Sequence, residues 1–145
     1  MSDAWVVLER IDVAAPTSAV WQALTSPEAL ARWYFPGIAI RSTYAVGDPI
    51  TWSFTLDGEA RRDHGTILEH VAGRRLVYDH WSSLSGRPDA PEGRTVTAID
   101  LEAREEASVV TVRQTGFARD VEFFHARSFW RIALVTLRRT LEGAA

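Results

Sequence analysis

The amino-acid sequence predicts an α+β fold, with an antiparallel sheet of about six to seven strands and a long C-terminal helix. Apolar and polar residues alternate with a period of two through most of the stretch 38–116, which is typical of half-buried strands. The stretch 121–143 has apolar residues at helical spacing instead. Two helix starts follow the first strand, so two short helices are expected there.

The composition indicates one globular domain over residues 1–145, since 46% of the residues are hydrophobic and 24% are charged. A net charge of −3 provides no basic surface for nucleic acid. With no apolar run long enough to cross a bilayer and no signal peptide, we expect a cytoplasmic protein. Cysteine and lysine are both absent, which excludes disulfides, thiolate metal sites, a cysteine nucleophile and Schiff-base chemistry.

The N-terminal region is predicted to contain one strand and the two short helices. Residues 5–13 alternate as a strand, and Pro16 begins the first helix. Ser26 is the expected N-cap of the second helix, with Pro27 at its first helical position. A Pro-Gly pair at 36–37 ends it.

The middle of the chain is predicted to be a meander of strands. The clearest pattern is the alternation of Ile50, Trp52 and Phe54 with polar residues. Strands are expected over 38–43, 50–56, 60–70, 75–81, 94–102 and 108–116. Residues 82–93 form a long, turn-rich connection, and connections of this length tend to be functional or mobile.

The C-terminal helix is predicted over residues 121–143, with Asp120 as its cap and Gly143 at its end. Its length of about 30 Å is enough to cross a whole sheet.

Four sequence motifs resemble those of one protein family, and together they cover nearly the whole chain. Residues 20–33 (VWQALTSPEALARW) are similar to its N-terminal signature, and residues 65–69 (GTILE) and 75–78 (RLVY) to its mid-sheet stretch. Residues 114–117 (QTGF) resemble the end of its last strand. The chain is thereby identified as a member of the family related to the C-terminal domain of the activator of Hsp90 ATPase, within the START/Bet v 1-like (SRPBCC) superfamily.

This resemblance implies a helix-grip fold, in which a curved antiparallel sheet wraps the long C-terminal helix. It also implies a hydrophobic cavity between sheet and helix, which members of the superfamily use for lipids, hormones and polyketides. Eukaryotic co-chaperone members carry an additional N-terminal domain, for which we expect no room here, so chaperone activation is doubtful for this chain.

The candidate ligand-binding residues are mainly aromatic side chains that the fold would direct toward this cavity. Aromatic rings bury large areas and offer stacking faces, which suits a ring-bearing or acyl ligand. The candidates are Trp33, Tyr34, Trp52, Phe54, Tyr78, His80, Gln114, Phe117, Phe123, Trp130 and Leu134. The alternative is that the same side chains simply fill the core.

Four polar side chains on predicted inner faces are candidates for orienting a ligand or for acid–base chemistry: Glu9, Tyr78, His80 and Gln114. In the alternative interpretation, Glu9 pairs with an arginine and Gln114 satisfies backbone groups. The four histidines lack zinc-like spacing, and no nucleophile motif or nucleotide-binding loop is present, so no metal, cofactor or catalytic residue is predicted.

The sequence therefore favours a module that binds a small hydrophobic molecule. The first alternative is an enzyme of the cyclase or aromatase type acting on a hydrophobic substrate, and the second is an interaction with an Hsp90-type chaperone. A homodimer is also open, because Val6 and Leu8 lie on the outer face of the first strand.

Overall fold

The fold is described by a computed structural model for residues 5–143. Three helices are present in this range, and they are α1 (Thr17–Thr25), α2 (Pro27–Trp33) and α3 (Asp120–Glu142). The strands are β1 (Val7–Val13), β2 (Ala39–Ser42), β3 (Pro49–Leu56), β4 (Glu59–Val71), β5 (Arg75–Trp81), β6 (Arg94–Arg104) and β7 (Ala107–Thr115). A single 3₁₀ turn at Pro91–Gly93 precedes β6.

The seven strands form one antiparallel sheet in the order β1-β7-β6-β5-β4-β3-β2, and α3 packs across it at the β1 side. The predicted α+β helix-grip architecture is confirmed, including both short helices. None of the helices in the described range is long and apolar enough to cross a membrane.

The two short helices begin and end largely for the reasons that the sequence provides. The Ser26 hydroxyl accepts a hydrogen bond from the backbone N–H of Ala29 at 3.3 Å, and Pro27 occupies the first turn. The start of α3 differs from the prediction, because Arg119 is its N-cap and makes no side-chain cap bond. The Glu122 carboxylate instead accepts from the backbone N–H of Ala118 at 3.0 Å.

Pairing between β4 and β5 contains a register shift and, before it, a close backbone approach at Gly65. The register shifts between Ile67 and Glu69, and a Cβ at Gly65 would lie 1.8 Å from the backbone oxygen of Asp79. The Asp79 carboxylate accepts from the backbone N–H of Thr66 at 2.8 Å and from the Arg94 guanidinium at 3.0 Å. Only glycine permits this close approach, so Gly65 has a steric role in the sheet.

The inner face of the sheet changes character along its strands. At one end β3, β5, β6 and β7 present aliphatic side chains: Ile50, Leu76, Ile99 and Val112. At the other end, and on the same face, these strands present Phe54, His80, Thr95 and Gln114. The aliphatic end belongs to the packed core and contains a small void of about 20 Å³, and the candidate site lies at the other end.

Candidate functional site

A cavity of about 360 Å³ lies between the inner face of the sheet and the N-terminal half of α3. Eight of the eleven predicted ligand-binding side chains line it: Tyr34, Trp52, Phe54, Tyr78, His80, Gln114, Phe117 and Trp130. Small side chains opposite them leave the space open, namely Thr95 and Thr97 on β6 and Ala126 on α3. The fold thus gathers aromatic groups from five separate segments around one space.

Three predicted residues do not line this cavity, and each has a packing role instead. Trp33 is buried between α1 and α2, where its indole N–H donates to the backbone oxygen of Ala23 at 2.9 Å. Phe123 packs against Trp5, with ring centroids 5.7 Å apart. Leu134 lies one turn beyond Trp130 and is buried in the core.

Glu9 is also outside the cavity. It shares a strand face with Val7 and Ile11, as expected, but β1 is an edge strand and α3 crosses it. The carboxylate therefore reaches Arg131 of α3 and accepts from its Nε at 3.1 Å. This is the arginine pairing that the sequence offered as the alternative to acid–base chemistry.

Gln114 lines the cavity, but its amide is occupied by neighbouring side chains. Its Oε1 accepts from the indole N–H of Trp130 at 3.0 Å, and its Nε2 donates to the Thr95 hydroxyl at 3.0 Å. Trp130 is 3% exposed, so this acceptor is important for a buried indole N–H. Gln114 fixes the orientation of Trp130 and satisfies side chains rather than backbone groups.

Asp63 and His80 form a polar pair in the wall of the cavity. The Nε2 atom of His80 is 2.8 Å from Oδ2 of Asp63, and the imidazole lies against Trp52 with ring centroids 4.2 Å apart. Oδ1 of Asp63 accepts from the hydroxyl of Ser83 at 2.7 Å and from its backbone N–H at 2.9 Å. A buried carboxylate is thus provided with donors on both oxygens.

These donors determine the charge state of Asp63. Burial alone would raise its pKa, but hydrogen bonds from His80 and Ser83, together with the nearby imidazole, lower the pKa below its ordinary value. Asp63 is therefore an anion at neutral pH.

Two tyrosine hydroxyls lie in the same wall. Burial raises the pKa of Tyr34, and the negative charge of Asp63 raises it further. Burial likewise raises the pKa of Tyr78 well above its ordinary value. Both hydroxyls therefore stay protonated at neutral pH and can donate hydrogen bonds.

The connection between β5 and β6 forms one rim of the cavity, through Ser82, Leu84, Ser85 and Arg87 among others. Three hydrogen bonds that involve Arg87 hold this connection in place. The Trp81 indole donates to the Arg87 backbone oxygen at 3.1 Å, and the Arg87 guanidinium donates to Gly116 at 3.2 Å and to Glu122 of α3 at 3.4 Å. These bonds hold the connection against the end of β7 and the start of α3.

The sequence-based candidates omitted Asp63, Phe35, Ala126 and Phe129, all of which line the cavity. Asp63 lies two residues before Gly65 and four before the buried Ile67, so strand alternation was an available signal for it. Phe129 adjoins Trp130, and its ring lies 4.8 Å from that of Tyr34. Within residues 5–143, no group of three or more His, Asp or Glu side chains is arranged to hold a metal ion.

Comparison with known proteins agrees with this architecture. The model of the activator of Hsp90 ATPase homolog 1-like protein family matches residues 14–142. The solution structure of ChR145 from Cytophaga hutchinsonii is similar, with a TM-score of 0.81 and 32% identity over 95% of this chain and 94% of that one.

Two further solved structures share the fold at lower identity. The Aha1 dimer from Colwellia psychrerythraea has a TM-score of 0.73 at 21% identity, over 94% of this chain and 96% of that one. DynU16, a protein of the dynemicin biosynthetic locus, has a TM-score of 0.74 at 20% identity, over 94% of this chain and 47% of that one. No curated protein sequence matches the chain. The family match over residues 14–142 shows that the chain belongs to the activator of Hsp90 ATPase homolog 1-like family.

Proposed function

We propose that this protein binds a small hydrophobic molecule, with at least one ring, in the cavity between its sheet and α3. The observation that carries the proposal is the cavity of about 360 Å³ with its wall of aromatic side chains. A dry cavity of about 150 Å³ is enough to hold benzene, so this space suits two or three fused rings. The lining is mainly apolar, with polar groups such as Asp63, His80 and Gln114 set among the aromatic side chains, which is a usual arrangement in sites that orient an apolar ligand.

The similarity to DynU16 supports the same proposal, because that protein belongs to a biosynthetic locus. From the aromatic lining of the cavity we infer that the ligand is an aromatic or polyketide-like small molecule.

The direct test is a thermal-shift screen of flavonoids, polyketide-like aromatics and fatty acids, together with mass spectrometry of compounds released when the natively purified protein is denatured. A ligand present at 100 times its Kd stabilises the folded state by about 2.7 kcal/mol. For a domain of this size that corresponds to a Tm increase of roughly 5–10 °C.

A variant pair separates cavity binding from surface binding. Ala126→Phe puts a ring into the cavity, whereas Ser128→Phe puts the same ring on the exposed side of the same helix. We expect the first variant to lose at least tenfold in affinity for any compound found in the screen, and the second to bind as the wild type does. Equal affinities in both variants would place binding outside the cavity and contradict the proposal.

Acid–base catalysis of the cyclase or aromatase type is the second candidate, and the Asp63–His80 pair in the cavity wall is the observation that favours it. Of the other predicted polar groups, Glu9 and Gln114 have partners of their own. If the protein is an enzyme, His80→Gln should abolish turnover of a bound polyketide-like substrate while binding persists.

We further propose a homodimer through β1. Leu8 on this edge strand is 60% exposed to solvent, and the similar Colwellia protein is described as a dimer. Light scattering should then show a dimer for the wild type and a monomer for Leu8→Glu. A chaperone interaction remains the third candidate, and a pull-down with an Hsp90-type chaperone tests it.

A further inference from the structure

The Asp63–His80 pair assigns a specific hydrogen-bonding capacity to the cavity. Asp63 is an anion whose Oδ1 already accepts two hydrogen bonds from Ser83. An ionised carboxylate accepts hydrogen bonds and does not donate them. The Nε2 atom of His80, 2.8 Å from Oδ2 of Asp63, must therefore carry a proton.

In a neutral imidazole, a proton on one nitrogen leaves the other as a hydrogen-bond acceptor. When His80 carries a single proton, Nδ1 is that acceptor, and no hydrogen bond joins it to any of residues 5–143. The ring cannot readily rotate, because Trp52 lies against it and Asp63 holds Nε2. The cavity wall thus contains a fixed acceptor beside aromatic surface.

The charge around this acceptor discriminates between polar head groups. Asp63 is an anion. Its negative charge contributes to the raised pKa of Tyr34, which lies in the same wall. A ligand carboxylate would approach both the lone pair on Nδ1 and the negative charge of Asp63, which is unfavourable in a partly dry site. A neutral hydroxyl meets neither difficulty and can donate to Nδ1.

We propose that Nδ1 of His80 accepts a hydrogen bond from a phenolic or enolic hydroxyl of the ligand. Asp63 is the positioning residue that fixes the required tautomer. This inference rests on the cavity-binding function proposed above and narrows the ligand class to flat, conjugated compounds that carry a hydroxyl group.

The test compares 2-naphthol with 2-methoxynaphthalene by calorimetry. The two probes share a ring system, and only the first can donate a hydrogen bond. We expect the wild type to bind 2-naphthol about tenfold more tightly, as one well-formed hydrogen bond provides.

Two variants then separate the acceptor from the residue that positions it. His80→Phe keeps a ring against Trp52 and removes the acceptor, so the two probes should bind equally. In Asp63→Asn the amide oxygen keeps the Ser83 bonds and the amide nitrogen donates to Nε2, which moves the imidazole proton to Nδ1. This variant should also lose the preference, while its affinity for 2-methoxynaphthalene stays within about threefold of the wild type.

The chain provides a matched control. His64 and Asp89 form a second pair at 2.8 Å; their side chains are more exposed than those of Asp63 and His80, and neither lines the cavity. Asp89→Asn removes the same charge and should keep the tenfold preference. Equal binding of both probes by the wild type, a preference that persists in both cavity variants, or its loss in Asp89→Asn would overturn the inference while cavity binding stands. If neither probe binds, the proposed function fails together with the inference.

Discussion

The hydrogen bond between Gln114 and Trp130 is expected to stabilise the fold and to hold the cavity wall. Gln114→Leu keeps the approximate volume but removes both amide bonds, to Trp130 and to Thr95. Because Trp130 is only 3% exposed, its indole N–H would lose its acceptor without gaining water. A buried, unsatisfied donor costs about 1–3 kcal/mol, so we expect a loss of about 2–3 kcal/mol in the free energy of unfolding. The Tm should fall by roughly 5–10 °C.

A double-mutant cycle measured by urea denaturation isolates this bond. Trp130→Phe removes the indole N–H, so Gln114→Leu should cost about 1 kcal/mol in that background, from the bond to Thr95 alone. The coupling energy is then about 1–2 kcal/mol. If the two substitutions were instead additive within about 0.5 kcal/mol, the hydrogen bond would not be a stabilising contact and the reasoning would be refuted.

Three further substitutions test steric, hydrogen-bonding and electrostatic features of the fold. Gly65→Ala should lower the free energy of unfolding by more than about 3 kcal/mol, because its Cβ would lie 1.8 Å from a backbone oxygen of β5. Gly58→Ala is the control: it has open space around it and should lose only about 1–2 kcal/mol, from its positive φ. Ser108→Ala removes a buried 2.7 Å bond to the Ala15 backbone oxygen and should cost about 1–2 kcal/mol by urea denaturation; no change would contradict that bond. The lowered pKa of Asp63 stabilises the fold above the ordinary value of 3.8, and this contribution is lost as the pH falls below it, so Asp63→Asn should show a shallower decline of Tm between pH 5 and pH 3 than the wild type; parallel declines would contradict the shift.

The fold was predictable from the sequence because alternation and helix signals are local properties. The strand expected over 75–81 has those bounds in the structure, and that expected over 60–70 runs from Glu59 to Val71. The start of α3 was less predictable. The side chain that bonds to the backbone there is Glu122, which accepts from the N–H of Ala118, and not the predicted cap Asp120. Local sequence patterns thus predicted where the elements lie, but not which side chain would bond to the backbone at the start of α3.

The site was predictable only in part, because side-chain partners depend on tertiary contacts. Strand alternation placed Glu9 on the inner face, yet the crossing of α3 over an edge strand brought Arg131 within reach of its carboxylate. His80 was a candidate from its own strand, but its partner Asp63 comes from the neighbouring strand, and the residue that holds Asp63 comes from the connection after β5. Nothing in the local sequence links these three positions.

The cavity follows from an uneven distribution of side-chain size and polarity along the same strands. Ile99 and Leu101 are buried in the packed core at one end of β6, while Thr95 and Thr97, on the same face of the same strand, leave space beneath Ala126. Larger apolar side chains at these positions would bury more surface and would be expected to stabilise the fold. The polar groups at this end bond mainly to one another and to the nearby rim connection, so the cavity keeps a defined shape without a ligand. A pre-formed space with a fixed acceptor needs little reorganisation to bind a rigid ring, which is why flat, conjugated compounds are the chemical class to test before flexible acyl chains.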